Sequence, residues 1–428
     1  MRLWCELAWL GGERADAGVL LEVEGERLVA VRAGVAAPAD AERLAGLTVP
    51  GLANAHSHAF QRALRGRTHG AAGSFWTWRE QMYQLAGTLD PDGCFALARA
   101  AFGEMALAGV TCVGEFHYLH HAPDGAPYDD PNAMGNAVIA AAAEAGVRLT
   151  LLDACYLHGG LARFRDRDAE AWAARVSALP SGEAVRVGAA IHSVRAVDPV
   201  AARTVAEQAA GQPLHAHVSE QPAENEQCLA DHGRTPTALL AEAGALSERF
   251  TAVHATHLTE ADVTLLGDAG ACACLCPTTE RDLADGIGGA RALRDAGASL
   301  AVGSDSHAII DLLEEARAVE LDERLATGVR GSHRAADLLR AASAGGNAAL
   351  GWPEAGRLQA GALADLATVS LGGVRLAGTP PAHAVEAAVF AATAADVRDV
   401  MAGGRWIVRD RAHLTLDVPA ELRAAVGA

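Results

Sequence analysis

The sequence predicts an α/β protein in which a (β/α)8 barrel of the TIM type is joined to a small β-sandwich. Between residues 47 and 307, eight short apolar segments alternate with alanine-rich stretches of helical composition. This alternation is typical of repeated βα units around a parallel sheet, and eight such units close a barrel. The two ends of the chain have a different, β-like pattern, so we expect a second and smaller domain there.

Eight apolar runs are the candidate barrel strands. They cover residues 47–58, 110–116, 148–156, 185–194, 213–220, 250–256, 271–277 and 299–307. The segments between them are long enough for crossover helices, most clearly at 199–211 and 290–297. A doubly wound open sheet is the alternative, but no phosphate-binding glycine fingerprint follows the first strand.

Both chain ends are punctuated by glycine, with strand-like segments at 18–23, 365–369 and 400–408. Because chain termini often lie close together in space, both ends can contribute to one sandwich. We therefore expect a small β-sandwich domain from residues 1–46 and 358–428. The catalytic barrel is then expected to span residues 47–357.

The charge and the hydrophobic pattern of the chain limit its partners. The 428 residues carry a formal net charge of −18, which disfavours nucleic acid or an anionic membrane and favours a small-molecule substrate. No apolar run reaches the length of a membrane span, and the start from Met1 to Glu6 lacks the basic-then-apolar order of a signal peptide. We expect a cytoplasmic protein.

The basic and sulfur-containing residues exclude several kinds of chemistry. The chain has no lysine, which excludes a Schiff base, a P-loop lysine and a carbamylated-lysine metal bridge. Its eight cysteines have irregular spacing and indicate neither a disulfide framework nor a paired CxxC zinc knuckle. In segment 272–276, cysteine alternates with small and apolar residues, which predicts a buried strand.

Polar residues suited to metal binding or proton transfer stand at the ends of the predicted strands. They are His56 and His58 after the first strand, His217 and Glu220 after the fifth, His254 after the sixth and Asp305 after the eighth. Alternate side chains of a strand point the same way, so the first two imidazoles emerge together. Each residue alone could be a hydrogen-bonded core residue with a purely structural role. Together they follow the rule that barrel enzymes take catalytic groups from several strand ends.

This set predicts a mononuclear metal site. Three neutral imidazoles and one carboxylate leave an open position for water, whose pKa the metal lowers toward neutrality. The expected ligands are His56, His58, His217 and Asp305. We expect one zinc ion per chain, and iron or another divalent metal tolerates the same ligand set.

Two neighbouring histidines are alternatives within this site. We choose His217 over His215 because it places Glu220 three residues on, within reach of the open position as a proton shuttle. We choose His254 over His257 because it is still within the strand, whereas His257 begins the following helix.

These residues resemble the amidohydrolase superfamily, whose barrel has HxH after strand one, histidine after strands five and six, and aspartate after strand eight. The HxxE element from His217 to Glu220 resembles the mononuclear aminohydrolase branch, whose members release ammonia from C=N bonds. The resemblance implies a hydrolase acting on C–N bonds other than peptide bonds. The absence of lysine agrees, since binuclear members commonly bridge two metals with a carbamylated lysine.

Four motifs are similar to those of the formimidoylglutamate deiminase family. They are His58-Ala59-Phe60-Gln61-Arg62, Phe75-Trp76-Thr77-Trp78-Arg79, Glu115-Phe116-His117-Tyr118 and Cys276-Pro277-Thr278-Thr279-Glu280. The resemblance runs nearly end to end and points to Gln61 and Tyr118 as substrate contacts. It implies hydrolysis of N-formimino-L-glutamate to N-formyl-L-glutamate and ammonia, in histidine degradation, by a homodimer. The chain departs from the pattern at Arg281, Asp282 and Ala284, where a small residue, Asn and Gly are expected.

A substrate with two carboxylates gives a physical reason for arginine in the site, because arginine suits planar, bidentate carboxylate recognition. Arg195 comes three residues after His192, at the end of the fourth strand, and Arg79 lies in the long loop after the first. We place both arginines and His192 in the substrate site. The alternative without a functional role is that the two arginines are solvated surface residues.

The expected mechanism uses three catalytic residues. Glu220 hydrogen-bonds the imino nitrogen and relays a proton to it, Asp305 takes a proton as water attacks, and His254 steadies the charge on the attacking oxygen. One alternative is another aminohydrolase of this branch acting on a purine, pyrimidine or triazine ring, which would favour aromatic stacking surfaces over paired arginines. The other is a non-catalytic metal-binding relic, which the presence of Glu220 and Asp305 disfavours.

Overall fold

The computed structural model describes residues 1–70 and 73–427, which form two eight-stranded sheets and the helices around them. The strands are β1 (Arg2–Ala8), β2 (Asp16–Glu24), β3 (Arg27–Arg32), β4 (Glu42–Pro50), β5 (Leu52–Ser57), β6 (Val110–His117), β7 (Arg148–Cys155), β8 (Val185–Ile191), β9 (Leu214–Val218), β10 (Phe250–His254), β11 (Cys272–Leu275), β12 (Ser299–Val302), β13 (Leu366–Val369), β14 (Val397–Ala402), β15 (Arg405–Arg409) and β16 (Ala412–His413).

The helices mostly lie between the strands of the second sheet. They are α1 (Phe75–Ala86), α2 (Pro91–Leu107), α3 (Ala133–Ala145), α4 (Ala169–Val176), α5 (Pro199–Gln208), α6 (Pro222–His232), α7 (Pro236–Glu242), α8 (Glu260–Asp268), α9 (Pro277–Asp282), α10 (Ala290–Asp295), α11 (Leu312–Thr327), α12 (Ala335–Arg340), α13 (Gly346–Ala349), α14 (Ala384–Phe390) and α15 (Val418–Gly427). Short 3-10 helices cover Ala59–Leu64, Ala162–Phe164, Pro381–His383 and Ala394–Asp396, and a π-helix covers Ala341–Gly345.

The second sheet is a closed parallel barrel. Strands β5 to β12 neighbour one another in sequence order, and a parallel bridge between Ser57 and Asp305 joins the last strand to the first. The predicted (β/α)8 barrel is therefore confirmed. The doubly wound alternative is wrong, because that fold requires a reversal of strand order.

The predicted crossover helices at 199–211 and 290–297 are confirmed by α5 and α10. Helix α5 shows why its start was readable from the sequence. Pro199 occupies its first turn, and the side chain of Asp198 accepts hydrogen bonds from the backbone N–H groups of Val200 and Ala201.

The first sheet unites the two chain ends. Its order is β16-β15-β14-β13-β4-β1-β2-β3, so β4 from the N-terminal segment pairs with β13 from the C-terminal one. One apolar cluster includes Leu3 and Leu21 from one half and Leu366 and Met401 from the other. The two halves therefore share one apolar core, which agrees with the predicted sandwich built from both chain ends. Residue 428, at the end of the predicted domain, lies outside the described residues.

The predicted first barrel strand, 47–58, is wrong as a single strand. Residues 47–50 belong to β4 of the terminal sheet, and the barrel strand β5 begins at Leu52. Gly51 separates them, and a Cβ there would lie 2.2 Å from Thr111 Oγ1, so only glycine lets the chain pass this close. The Pro50-Gly51 pair was the available turn signal within an otherwise continuous apolar run.

Segment 272–276 is buried, as predicted. Cys272, Cys274 and Cys276 pack with Ala55 and Val253 in one cluster, and all eight cysteines are buried and unpaired. None of the helices in the described part of the chain combines the length and the apolar character that a membrane crossing requires.

A buried ion pair connects the barrel to the terminal sheet. Arg148, at the start of β7, donates to the carboxylate of Asp365, whose other oxygen accepts the backbone N–H of Gly403 at 2.7 Å. The backbone carbonyl of Asp365 also accepts the N–H of Gly51 at 3.0 Å. Asp365 is fully buried and Arg148 nearly so, so the position of each depends on the other.

We expect Arg148→Leu to lower the free energy of unfolding by about 3 to 5 kcal/mol, because it leaves a buried carboxylate without its charged partner. Urea titration of the metal-loaded protein measures the change. Arg234→Leu is the control, since it removes the exposed partner of Glu242 and should leave the free energy of unfolding nearly unchanged. Equal losses in the two variants would contradict a linking role for Arg148.

Candidate active site

Four side chains predicted as metal ligands converge at the carboxyl ends of β5, β9 and β12. His56 Nε2 lies 3.2 Å from His217 Nε2 and 3.3 Å from Asp305 Oδ1. His58 Nε2 lies 3.4 Å from the same oxygen of Asp305. All four residues are buried, so the structure brings together the residues that the strand ends indicated.

The hydrogen bonds of two imidazoles fix which nitrogen faces the centre. His58 Nδ1 donates to the carbonyl oxygen of Phe116 at 2.8 Å, and His217 Nδ1 donates to that of His192 at 2.8 Å. A carbonyl oxygen only accepts, so Nδ1 carries the proton in each ring and Nε2 of the neutral ring presents a lone pair. Burial lowers the pKa of both histidines and of His56, which favours these neutral forms.

These donors fit a divalent cation. The lone pair of His58 Nε2 points at a carboxylate oxygen of Asp305 at 3.4 Å, and two acceptors that face one another need a positive charge between them. The lone pair of His217 Nε2 adds another donor atom 3.2 Å from His56 Nε2. Three imidazole nitrogens and one carboxylate oxygen are the donor set of a zinc site that keeps a position open for water.

His254 ends β10 and lies among three carboxylates. Its Nδ1 donates to Glu280 Oε1 at 3.4 Å, and its Nε2 is 3.8 Å from Glu220 Oε1 and 3.9 Å from Asp305 Oδ2. Burial lowers the pKa of His254, but the hydrogen bond to Glu280 and the charges of Glu220 and Asp305 outweigh it and raise that pKa to about 10. The ring is thus a proton donor directed at the space between Glu220 and Asp305.

Glu220 follows β9 and is held by two neighbours. Its Oε2 accepts a hydrogen bond from Arg195 Nη2 at 3.1 Å, and its backbone N–H donates to Glu224 Oε2 at 3.1 Å. Glu224 is also 4.0 Å from Arg195 Nε. The predicted substrate arginine therefore has a carboxylate partner within the protein.

Backbone strain is concentrated at this end of the barrel. Eight non-glycine residues among those described have positive φ, and five of them end or follow β9, β10 or β12. These five are Ser219 (51°), His254 (67°), Ala255 (51°), Asp305 (42°) and His307 (59°). Such conformations persist only where the surroundings over-determine them, and they cluster at functional sites.

A buried polar network behind the HxH segment was not predicted. Ser57 Oγ donates to Glu115 Oε2 at 2.6 Å, and Glu115 Oε1 accepts the N–H of Ala59 at 2.6 Å. Ser57 Oγ also lies 3.2 Å from His307 Nε2, whose Nδ1 is 2.9 Å from Ser304 Oγ. Burial raises the pKa of Glu115 to about 8. Glu115 and Glu280 stood in the quoted motifs, and that was the only sequence signal for them.

The site opens into a cavity of about 150 Å³. All five residues predicted to contact substrate line it. They are Gln61, Arg79, Tyr118, His192 and Arg195. Gln61 Nε2 donates to the hydroxyl of Tyr118 at 2.9 Å, and its Oε1 has no partner among the described residues.

Arg79 lies on α1 above the cavity. Its guanidinium carbon stacks 4.4 Å from the ring centre of Trp76 and 5.5 Å from that of Tyr83. It forms no ion pair with any residue in the ranges 1–70 and 73–427. Arg79 is therefore a cation in the cavity wall whose charge is not matched by a nearby carboxylate, unlike Arg195.

The two alternative histidines lie elsewhere. His215 is buried deeper in the barrel, where its Nε2 donates to the carbonyl of Ala349 at 3.0 Å. His257 Nε2 donates to the carbonyl of Asp285 at 2.7 Å, at the rim. Neither belongs to the cluster formed by His56, His58 and His217.

The three departures from the family motif lie in α9 and the turn after it. Ala284 has φ of 58°, a left-handed conformation that glycine adopts at lower cost, and glycine was the expected residue. Asp282 pairs with His69, and Arg281 pairs with Glu314 at 3.2 Å. These contacts are at the rim, so they leave the proposed metal ligands unchanged.

The fold and the site define a barrel hydrolase with its catalytic groups at the strand ends. The Amidohydrolase family model matches residues 47–407. Formimidoylglutamate deiminase of Pseudomonas aeruginosa is 39% identical over 398 residues, with 87% of each chain covered. The chain belongs to the amidohydrolase family and is a hydrolase that acts on C–N bonds other than peptide bonds.

Two solved structures extend the comparison. The crystal structure of an amidohydrolase from Brucella melitensis has 34% identity and a TM-score of 0.92, and the match covers 100% of this chain and 99% of that one. A zinc-bound adenosine deaminase from Xanthomonas campestris has 25% identity and a TM-score of 0.87, with 99% and 96% covered. The first supports the barrel and the sandwich, and the second is a relative that holds zinc.

We expect His217→Ala to lose stoichiometric metal and His215→Ala to retain it, because of these two residues only His217 turns a lone pair toward His56 and His58. Elemental analysis after extensive dialysis measures the bound metal. The two variants are matched, since each removes one buried imidazole from β9. Metal loss in His215→Ala together with retention in His217→Ala would reverse the choice.

Proposed function

We propose that the protein hydrolyses N-formimino-L-glutamate to N-formyl-L-glutamate and ammonia. The observation that carries the proposal is the cavity, which has the histidine and aspartate cluster at its base and two arginines in its wall. The substrate has an amidine-like carbon to be attacked and two carboxylates to be bound. The likeness to the Pseudomonas aeruginosa deiminase supports the same reaction.

We propose one zinc ion per chain, held by His56, His58, His217 and Asp305. When bound, zinc would lower the pKa of a coordinated water toward neutrality and supply hydroxide. The Xanthomonas campestris relative with bound zinc supports this metal. Iron or another divalent metal would suit the same nitrogen and oxygen donors.

Three side chains would handle protons and charge. Glu220 lines the cavity and would hydrogen-bond the imino nitrogen, relaying a proton so that the nitrogen departs as ammonia. Asp305, at the base, would take the proton that the attacking water releases. His254 lies 3.8 Å from the first carboxylate and 3.9 Å from the second, where it would stabilise negative charge on the attacking oxygen.

Substrate binding would use the two arginines and three neutral residues. Among the described residues, Arg79 and Arg195 are the only arginines in the cavity lining, and each would receive one carboxylate. Gln61 and Tyr118 would contribute hydrogen bonds to the bound substrate. Burial lowers the pKa of His192, with Arg195 adding to the effect, so this ring would act as a neutral contact.

A second candidate is a deaminase of a purine or related ring. The cavity has the aromatic wall that such a ring needs, formed by Phe75, Trp78, Tyr83, Tyr118, Tyr156 and Phe164. The zinc-bound adenosine deaminase relative belongs to this class. The arginines favour the dicarboxylate, because a neutral ring would leave Arg79 without an anionic partner.

The setting of the reaction is part of the same proposal. We place it in the breakdown of histidine, in the cytoplasm, and we propose a homodimer. These three points rest on the resemblance to formimidoylglutamate deiminases. The partner of the site is a small molecule, and neither nucleic acid nor a membrane is expected to bind.

We expect the zinc-loaded protein to release ammonia from N-formimino-L-glutamate and not from adenosine, guanine or cytosine. Glu220→Gln should keep its metal and lose turnover by about 10²-fold or more, since general acid-base transfer is typically worth that much. A coupled ammonia assay and elemental analysis measure the two quantities. Turnover of a ring substrate without turnover of N-formimino-L-glutamate would support the second candidate. A kcat of Glu220→Gln equal to that of wild type would contradict the role of Glu220 in proton transfer.

We expect Arg79→Gln to lower kcat/KM for N-formimino-L-glutamate. The decrease should correspond to about 2 to 4 kcal/mol of lost transition-state stabilisation, the scale of losing one partner of a charged pair. The loss should nearly vanish for one of two truncated substrates, N-formimino-4-aminobutyrate or N-formimino-2-aminobutyrate, each of which lacks one carboxylate. Arg330→Gln, an exposed arginine outside the cavity, is the control. Equal losses on all three substrates would make Arg79 a structural residue.

A further inference from the structure

The guanidinium of Arg195 both lines the substrate cavity and pairs with carboxylates of the protein. It lines the substrate cavity, and its Nη2 donates to Glu220 Oε2 at 3.1 Å. The same guanidinium lies 4.0 Å from Glu224 through Nε. One positive charge thus already faces two protein carboxylates before any ligand enters.

Glu220 has one arginine partner among the described residues, and the ring of His254 lies on its other oxygen, with Nε2 3.8 Å from Oε1. Within the ranges 1–70 and 73–427, Arg195 is the only arginine that pairs with Glu220. The side chain of Glu220 is 9% exposed and that of Glu224 is fully buried. Solvent therefore screens these charges poorly. A third carboxylate beside Arg195 would be repelled by the carboxylates of Glu220 and Glu224, and this repulsion would be only weakly screened.

Glu224 lies beside both Arg195 and the turn that presents Glu220. Its Oε2 accepts the backbone N–H of Glu220 at 3.1 Å, so it is attached to that turn. If Arg195 weakens its bond to the Glu220 side chain, the Glu224 carboxylate still holds the backbone of the turn and attracts the guanidinium from 4.0 Å. The Glu220 side chain can then reorient without moving the rest of the site.

We propose that a substrate carboxylate competes with Glu220 for Arg195, so that ligand binding loosens Glu220 from the cavity wall and frees it for the reacting nitrogen. This inference rests on the proposed function and adds a coupling to it. Arg195 is then a specificity-determining residue that acts through Glu220 as well as by direct contact.

The coupling has a consequence for selection among substrates. A ligand without a carboxylate at Arg195 leaves Glu220 in its bond with that arginine, away from the nitrogen that needs the proton. Recognition of the carboxylate is then expressed in kcat and not only in KM, since it changes the reactive state of the bound complex. A carboxylate clamp that does not touch Glu220 would give no such effect.

Binding of glutarate to the zinc-loaded protein tests the competition without turnover. Glutarate has two carboxylates and no imino nitrogen, so it lacks the group that Glu220 would contact directly. Isothermal titration calorimetry is performed on wild type, Glu220→Gln, Arg195→Gln and the double variant. Glu226→Gln is the control, because it removes the same charge from an exposed position on α6.

We expect Glu220→Gln to bind glutarate about tenfold more tightly than wild type, because a neutral amide competes less well than a carboxylate for a charged donor. Arg195→Gln should bind more weakly. In the Arg195→Gln background the gain from Glu220→Gln should disappear, which is the non-additivity of residues that share a contact. Glu226→Gln should match wild type.

Three results would overturn the proposal. They are an unchanged or weaker affinity in Glu220→Gln, an equal gain with and without Arg195, and no glutarate binding to either wild type or Glu220→Gln. If Arg195→Gln binds glutarate too weakly to measure, the glutarate affinity of Glu220→Gln is compared with that of Glu226→Gln. Failure of the proposed function is read separately, from ammonia release by the unaltered protein.

Discussion

The seam between the first and last barrel strands is the constraint on which the site depends. At this seam the N–H of Asp305 donates to the carbonyl of His56 at 3.0 Å, and the N–H of His58 donates to the carbonyl of Asp305 at 3.1 Å. These backbone bonds both close the barrel and set the aspartate against the HxH segment. Residues nearly 250 positions apart in the sequence thus become neighbours through the bonds that complete the fold.

The same seam explains why strained backbone is tolerated there. Each left-handed non-glycine residue costs roughly 1 to 2 kcal/mol, so Asp305 and His307 need compensating contacts. Ser304 supplies them: its N–H donates to Asn54 Oδ1 at 2.9 Å, and its hydroxyl accepts from Asn54 Nδ2 at 2.7 Å. Ser57 and His307 continue this network toward Glu115. The buried polar groups thus hold the geometry that the proposed metal ligands need, at the cost of their own desolvation.

Much of the fold and the main cluster could be predicted, because both follow from periodicity. Alternation fixes the face on which His56 and His58 emerge, and the barrel rule places His217, His254 and Asp305 at one end. The error at residues 47–50 has a physical cause, since two strands of different sheets follow one another in a single apolar run. Only the close approach of Gly51 to Thr111 separates them, and that contact is long-range.

The residues that were missed support others and do not face the cavity. Glu115 and Glu280 act by accepting hydrogen bonds from Ser57 and His254, and a buried acid behind a ligand leaves no periodic signal. Arg195 was placed in the cavity, yet its bond to Glu220 was not predicted. Such a pairing depends on how two loops after different strands meet, and spacing along the chain contains no information on it.

The charge of the whole chain opposes the substrate proposed for it. A protein of net charge −18 repels a dianion at long range, but that field is screened over about 8 Å at physiological ionic strength. Recognition must then come from charges inside the cavity, where screening is weak. In the described part of the chain, Arg79 has no carboxylate partner, whereas Arg195 is already paired with Glu220. The two arginines therefore differ in their effect on an anionic ligand. Arg79 attracts it directly, whereas Arg195 attracts it only to the extent that its hydrogen bond with Glu220 weakens.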